Sequence, residues 1–289
     1  MTPMSNGSTC PAYAVESGPG IDPAPNADGS TNVHLKVPNS SRGPDTVTGW
    51  TANVFEVLTL RRAEDFQGKD ALVRKVFQEE LTQVGDDLIE ISKLVHEAIT
   101  KATTSFEGAD VDLAQDVIAA DARIDFLQNS LDERAIDILA LQGPVASDLR
   151  MIVGSLRMSA SLERMGDLAR HVAQLARLRY PATVIPASLT QTFKAMAQHD
   201  IDITAKVIEL LETRDLEVAR DILKINIAVD DLHLSVFKAI ASPEWSENPA
   251  TTVDVALASR YFERFADHGV SVARKVTYLV TGEWQPEGF

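Results

Sequence analysis

Leu162-Glu163-Arg164-Met165-Gly166-Asp167 returns as Phe262-Glu263-Arg264-Phe265-Ala266-Asp267, displaced by 100 positions. Both hexapeptides sit in long segments whose apolar residues recur every three or four positions, the period of an amphipathic helix. Upstream of each lies a second echo, Asp121-Ala122-Arg123-Ile124-Asp125 and Asn226-Ile227-Ala228-Val229-Asp230. A period of domain size, rather than the 20 to 50 residues of a solenoid, reads as duplication of one three-helix unit.

The punctuation between segments agrees with that reading. A helical pattern is established by Val76 and continues to about Phe106, where Gly108 breaks it and Asp110 supplies a new N-cap. The next helix runs to about Leu141 and stops at Gly143-Pro144, the proline being placed at the first turn of the third helix, which ends near Tyr180 before Pro181. After Pro186 the order repeats: a fourth helix to about Glu212, a fifth capped by Asp215 and ending near Ala241, and a sixth from the Pro243 to Pro249 linker to about Gly282. Nothing reads as a sheet. The expected fold is all-α: two tandem three-helix bundles, residues 73–182 and 183–283, six long antiparallel helices in all. Residues 1–50 carry seven of the 13 prolines and six of the 15 glycines without apolar periodicity, so residues 1–72 are expected to be a disordered extension. An alternative is that translation starts at Val73 and that residues 1–72 are not native.

Composition narrows the function. The chain has 289 residues, 45% of them hydrophobic, and a single cysteine, Cys10, which excludes an internal disulfide framework and a cysteine zinc site. No apolar run reaches membrane-spanning length and no secretory signal is visible, so a cytoplasmic location is expected. With 42 acidic against 27 basic residues and a formal charge of -15, nucleic acid is an unfavourable partner and cations are favourable ones.

Glu163 and Asp167 are four apart and share one helix face, a turn from each other. Traced backwards, that face holds Val145, Leu149, Ile152, Val153, Leu156 and Ala160, so the acids continue an apolar stripe. Neighbouring carboxylates repel and burial makes their charged forms costlier, so something must compensate. Arg164 and Arg264 are one answer, and solvation is another. Metal is the sharper one: an antiparallel hairpin sets Asp121 and Asp125 beside Glu163 and Asp167, and Asn226 and Asp230 beside Glu263 and Asp267, giving four oxygen-bearing side chains per half. Hard cations such as Mg, Mn, Ca or Fe favour such surroundings, with Zn a further choice. Asn226 lowers the charge of the second set, which is therefore expected to bind more weakly. His171, four after Asp167, extends the first face; a packed side chain is the stronger competing reading. No Glu-x-x-His pair, Walker loop, HExxH or Gly-x-Ser-x-Gly occurs in the chain, and no catalytic constellation is apparent.

At the twin Glu-Arg-x-(Gly/Ala)-Asp segments, with Leu141-Gln142-Gly143-Pro144-Val145-Ala146-Ser147-Asp148-Leu149-Arg150 and the ending Tyr278-Leu279-Val280-Thr281-Gly282-Glu283, the sequence resembles the PhoU family of phosphate-signalling accessory proteins. The resemblance covers about Val73 to Glu283. It implies a homodimeric six-helix protein whose acidic motifs bind multinuclear metal clusters. By position these fall on Asp121, Asp125, Glu163 and Asp167, and on Asp230, Glu263 and Asp267, with Asn226 a departure. It also implies a negative regulator of phosphate uptake, acting by contact with the ATPase subunit of the phosphate ABC transporter and with the phosphate-sensing histidine kinase. A metal-dependent enzyme or metal-storage bundle using the same carboxylates is the alternative, and a bundle with merely solvated acids is a third.

Overall fold

The computed structural model describes residues 63–283, with side chains from residue 74 onward. Within them the chain forms six α-helices: α1 (Ala63–Gly108), α2 (Val111–Gln142), α3 (Ala146–Arg179), α4 (Thr190–Thr213), α5 (Leu216–Ile240) and α6 (Pro249–Thr281). A 3-10 turn at Ala187–Leu189 leads into α4. The described residues contain no strand.

Local chemistry sets the helix ends. Asp110, Asp215 and Asn248 each accept a hydrogen bond from a backbone N–H of the first turn they precede, those of Leu113, Glu217 and Thr251. Pro249 occupies the first turn of α6, where its missing N–H goes unneeded. Gly143 and Gly282 close α2 and α6 in the left-handed conformation, at φ 55° and 79°. Two boundaries depart from expectation. Pro144 precedes the N-cap of α3, Val145, instead of lying inside the helix. More substantially, α1 begins at Ala63 and runs unbroken through Val73. Residues 63–75 contain no proline and only one glycine, Gly68, whose cost of about 1 kcal/mol a long helix absorbs. The disordered extension is thus corrected for residues 63–72, and for residues 1–62 it lies outside the described residues.

Within each half the three helices pack on one another, and the halves meet through α3 against α6 and α1 against α4. One apolar core runs through all six helices. It includes an aromatic trio, Phe106 of α1, Phe193 of α4 and Phe262 of α6, with ring centroids 5.8 to 6.1 Å apart. A satellite core of Leu81, Val84, Ala135, Ile138 and Ile152 fills one end of the first half. Helices α3 and α6 run antiparallel. The Ser161 and Ser271 hydroxyl oxygens lie 3.3 Å apart, the His171 ring lies 5.2 Å from that of Tyr261, and a Cβ on Gly154 would touch Leu279. The apolar stripe that leads to the acids is only partly core. Ile152 is fully buried, but Val145, Leu149 and Val153, one row around the helix, stand on the surface.

Candidate metal centre

The residue just before the aspartate of the first hexapeptide, Gly166, is small for a steric reason. A Cβ on Gly166 would lie 3.0 Å from Ile124 Cδ1 and 3.4 Å from Asp121 Oδ1, so α2 and α3 approach closely at this level. That approach brings Asp121 of α2 against Asp167 of α3. In the second half Ala266, fully buried, occupies the matching position.

In the first set, Asp121 is buried, Glu163 and Asp167 are partly buried, and Asp125 is exposed at the rim. Burial pushes the Asp121 carboxyl up, and Arg170 pulls it back. Burial also raises Glu163, with Asp167 and Asp125 adding repulsion. Burial acts the same way on Asp167, but the guanidinium groups of Arg170 and Arg164 outweigh it and hold that carboxyl below its ordinary value. Arg170 donates to both Asp121 and Asp167, clamping α2 to α3, while Arg164 donates to Asp167 at 2.8 Å and lies 3.4 Å from Glu163. These four acids act on one another electrostatically across α2 and α3, but no three of them bring oxygens within 4.8 Å of one another, and two arginines neutralise them in part.

The second set is built differently. One oxygen from each of Asp230, Glu263 and Asp267 lies within 4.8 Å of the others, the one group of three or more ligand-type residues so spaced among the described residues. Burial raises Glu263 and Asp230, and in each case Asp267 is the next cause, which is the signature of converging like charges. Arg260 donates to both oxygens of Glu263 at 2.7 Å and Arg264 lies 3.7 Å from Asp267, but both arginines stand on α6 itself. The position matching Arg170 is Val270, which is buried, so the clamp that joins the first pair of helices has no counterpart at that position. Asn226 donates Nδ2 to Asp230 at 3.3 Å, and its Oδ1 is buried without a hydrogen-bond partner. Asn226 is therefore one half of a matched exchange: where Asp121 becomes an amide, the arginine that balances it becomes a valine.

All the available donors are hard oxygens, three carboxylates in mutual range with an uncommitted amide oxygen beside them, and this set fits Mg, Mn, Ca or Fe. In the first set Arg170 and Arg164 already occupy the carboxylates as hydrogen-bond donors. His171 packs on Tyr261 with Nδ1 buried and unpartnered, so the packed reading describes its ring. Reading the sequence missed Arg170. Its position three residues after Asp167, on the same face, was the available signal.

The comparisons with known proteins bear on the family and the fold. A family model described as the PhoU domain matches residues 88–176 and 193–276, one match in each half. The chain is 39% identical over 210 residues to phosphate-specific transport system accessory protein PhoU homolog 2 of Mycobacterium tuberculosis, covering 73% of this chain and 99% of that one. To PhoU homolog 1 of Mycobacterium leprae it is 37% identical, over 73% of this chain and 96% of that one. The crystal structure of PhoU from Pseudomonas aeruginosa superposes with a TM-score of 0.64 at 26% identity, covering 72% of this chain and 100% of that one. The phosphate transport system regulatory protein PhoU of Streptococcus pneumoniae shares the fold, with a TM-score of 0.65 at 23% identity over 73% and 99% of the two chains. Matched in both halves, and along nearly the full length of these relatives, the chain belongs to the PhoU family.

Proposed function

We propose that this protein is a non-enzymatic adaptor that restrains phosphate uptake and phosphate-starvation signalling when phosphate is plentiful. It acts in the cytoplasm by contacting the ATPase subunit of the phosphate transporter and the phosphate-sensing histidine kinase. No helix among the described residues is long and apolar enough to cross a membrane, so membrane proximity comes through these partners. The observation that carries this reading is the pair of family matches, each spanning one acidic hexapeptide, in relatives named as accessory proteins of phosphate-specific transport.

The bound cofactor in this reading is a divalent or trivalent metal: Mg, Mn, Fe or Zn. Asp230, Glu263 and Asp267 with Asn226 hold it in the second half, and Asp121, Asp125, Glu163 and Asp167 in the first. The metal supplies positive charge that lets α5 and α6, or α2 and α3, keep their carboxylates together; it rigidifies the face without doing chemistry. The ligand-ready spacing of the second set and the arginine clamp on the first reverse the order expected from Asn226, and the second half is proposed to load first. The protein works as a homodimer, and the exposed row of Val145, Leu149 and Val153 with Leu141 offers apolar surface for a second copy.

Deletion of the gene is expected to derepress a phosphate-starvation reporter in phosphate-rich medium, with restoration by the wild-type chain. Unchanged reporter output would reject the regulatory reading. Metal analysis of gently purified protein tests the sites separately: Asp230→Ala with Glu263→Ala should remove the metal of the second half and leave that of the first, with helicity unchanged.

A further inference from the structure

The family's acidic faces do not account for a groove of about 510 Å³ at the other end of the α3–α6 contact. It opens where α1, the start of α3 and the ends of α4 and α6 come together. Leu88, Met158, Leu211 and Val276 make its walls apolar, and Ser147, Asp148 and Arg214 bring polar groups to its lining. Its size and its composition, apolar with a few polar groups, are those of a small-molecule site.

Three observations show that the described residues leave it incomplete. First, Ser155 lines the groove, is 1% exposed, and its Oγ has no hydrogen-bond partner. The other buried helical hydroxyls are satisfied: Ser92, Thr103, Ser105, Ser159, Ser161, Thr204 and Thr277 donate to a carbonyl three or four residues back, and Ser259 pairs with His233. An orphaned buried hydroxyl costs free energy that a ligand acceptor would return. Second, Arg214 stands exposed beside it with no ion pair among the described residues, held by the left-handed φ of 58° that ends α4. Asp148, by contrast, lies in the first turn of α3, where the helix dipole balances it, and accepts from Ser147 at 3.4 Å. Third, a Cβ on Gly85 of α1, in the groove lining, would meet no atom within 4 Å, so α1 leaves open space there.

We propose that this groove binds a small amphipathic monocarboxylate, its apolar body against Leu88, Met158, Leu211 and Val276 and its carboxylate accepting from Ser155 Oγ and the Arg214 guanidinium. The site is independent of the metal reading, since no acidic-set residue lines it. The full-length protein titrated calorimetrically with sodium decanoate, below its micelle concentration, should show saturable one-to-one binding. Decylammonium, with the same chain and the opposite charge, should bind at least about tenfold more weakly, because the hydrogen bonds to a charged head are lost. Gly85→Leu grows a side chain into the open space and improves helix propensity, so it should abolish binding with helicity intact. Ser155→Ala should weaken binding about fivefold, the loss of one hydrogen bond. Arg214→Gly, unstrained at a left-handed position, tests the charge in a variant certain to keep the surface backbone it replaces. Absence of saturable decanoate binding overturns the proposal, as does equal binding of decylammonium, or undiminished affinity in both Gly85→Leu and Arg214→Gly. A groove serving only as a protein contact gives the first of these results.

Discussion

Asp200 offers a measurement on a group unconnected with either acidic set. It lies on α4 with 0% exposure, and neither carboxylate oxygen has a hydrogen-bond partner. Burial alone drives its carboxyl well above the ordinary value, with no charged neighbour acting on it. The sign of the pH effect follows. Below the unfolded value of about 3.9 both states hold the proton and the group is silent. As the pH rises, the unfolded chain releases its proton while the folded chain keeps it, so stability falls. The fall is about 1.4 kcal/mol per pH unit until the folded carboxyl itself ionises, after which it levels off. Asp200→Asn keeps the shape and the unsatisfied polar atoms but cannot ionise, so its stability relative to wild type should climb with pH at that slope. For a folded unit of this size that is a gain of about 3 to 5 °C in melting temperature per unit. Urea unfolding of both full chains at about pH 5.5, 6 and 6.5, above the sequence pI of 4.8, measures the difference and cancels the carboxylates they share. A difference that stays constant across this range would refute the argument, because it would mean that Asp200 is ionised inside the fold or reaches a partner in solution.

Two further outcomes follow from the packing around the acids. Gly269→Ala would put a Cβ 2.4 Å from Ile203 Cγ2, on a β-branched side chain with little rotamer freedom in a helix. A loss of about 1–3 kcal/mol in urea unfolding is expected, with recovery in the Gly269→Ala, Ile203→Ala double variant; simple additivity of the two would show that the contact is absent. Arg170→Gln removes the cation shared by Asp121 and Asp167, so the metal-free protein should lose about 1.5–3 kcal/mol while Mn²⁺ affinity in the first half rises. Calorimetric Mn²⁺ titration in an Asp230→Ala background reads the first set alone, and unchanged affinity there would mean that Arg170 does not compete with the cation.

The helix count and most helix ends were legible because the chain marks them with residues of fixed conformational meaning. Asp110, Asp215, Pro249, Gly143 and Gly282 each act locally, and local signals survive tertiary packing. The start of α1 was not legible: a mixed stretch without proline carries no boundary marker, and cooperative extension of an existing helix decides it. The nearness of Asp230, Glu263 and Asp267 follows from four-residue spacing and helix order, because both are properties of single helices and their sequence. What spacing omits is the distance between helices. The closeness of α2 and α3 depends on Gly166, and the role of its small size emerges only when Ile124 and Asp121 are seen across from it. The Arg170 clamp and its absence at Val270 were hidden for the same reason, since they are contacts across a hairpin. Asp200 was invisible because one acid in an amphipathic helix reads as an edge of the polar face.

The pairing of α3 with α6 is reciprocal. Ser161 meets Ser271, and when each residue is replaced by its counterpart 100 positions away the same pair becomes Tyr261 and His171, which also meet. This is the contact that two identical half-length chains would form about a dyad. Once joined end to end, the halves are no longer obliged to mutate in step, and one may carry an aspartate with its arginine while the other carries an amide with a valine. Covalent linkage thereby lets the two acidic faces differ in charge balance while their helices keep one mode of pairing, a graded pair within one molecule.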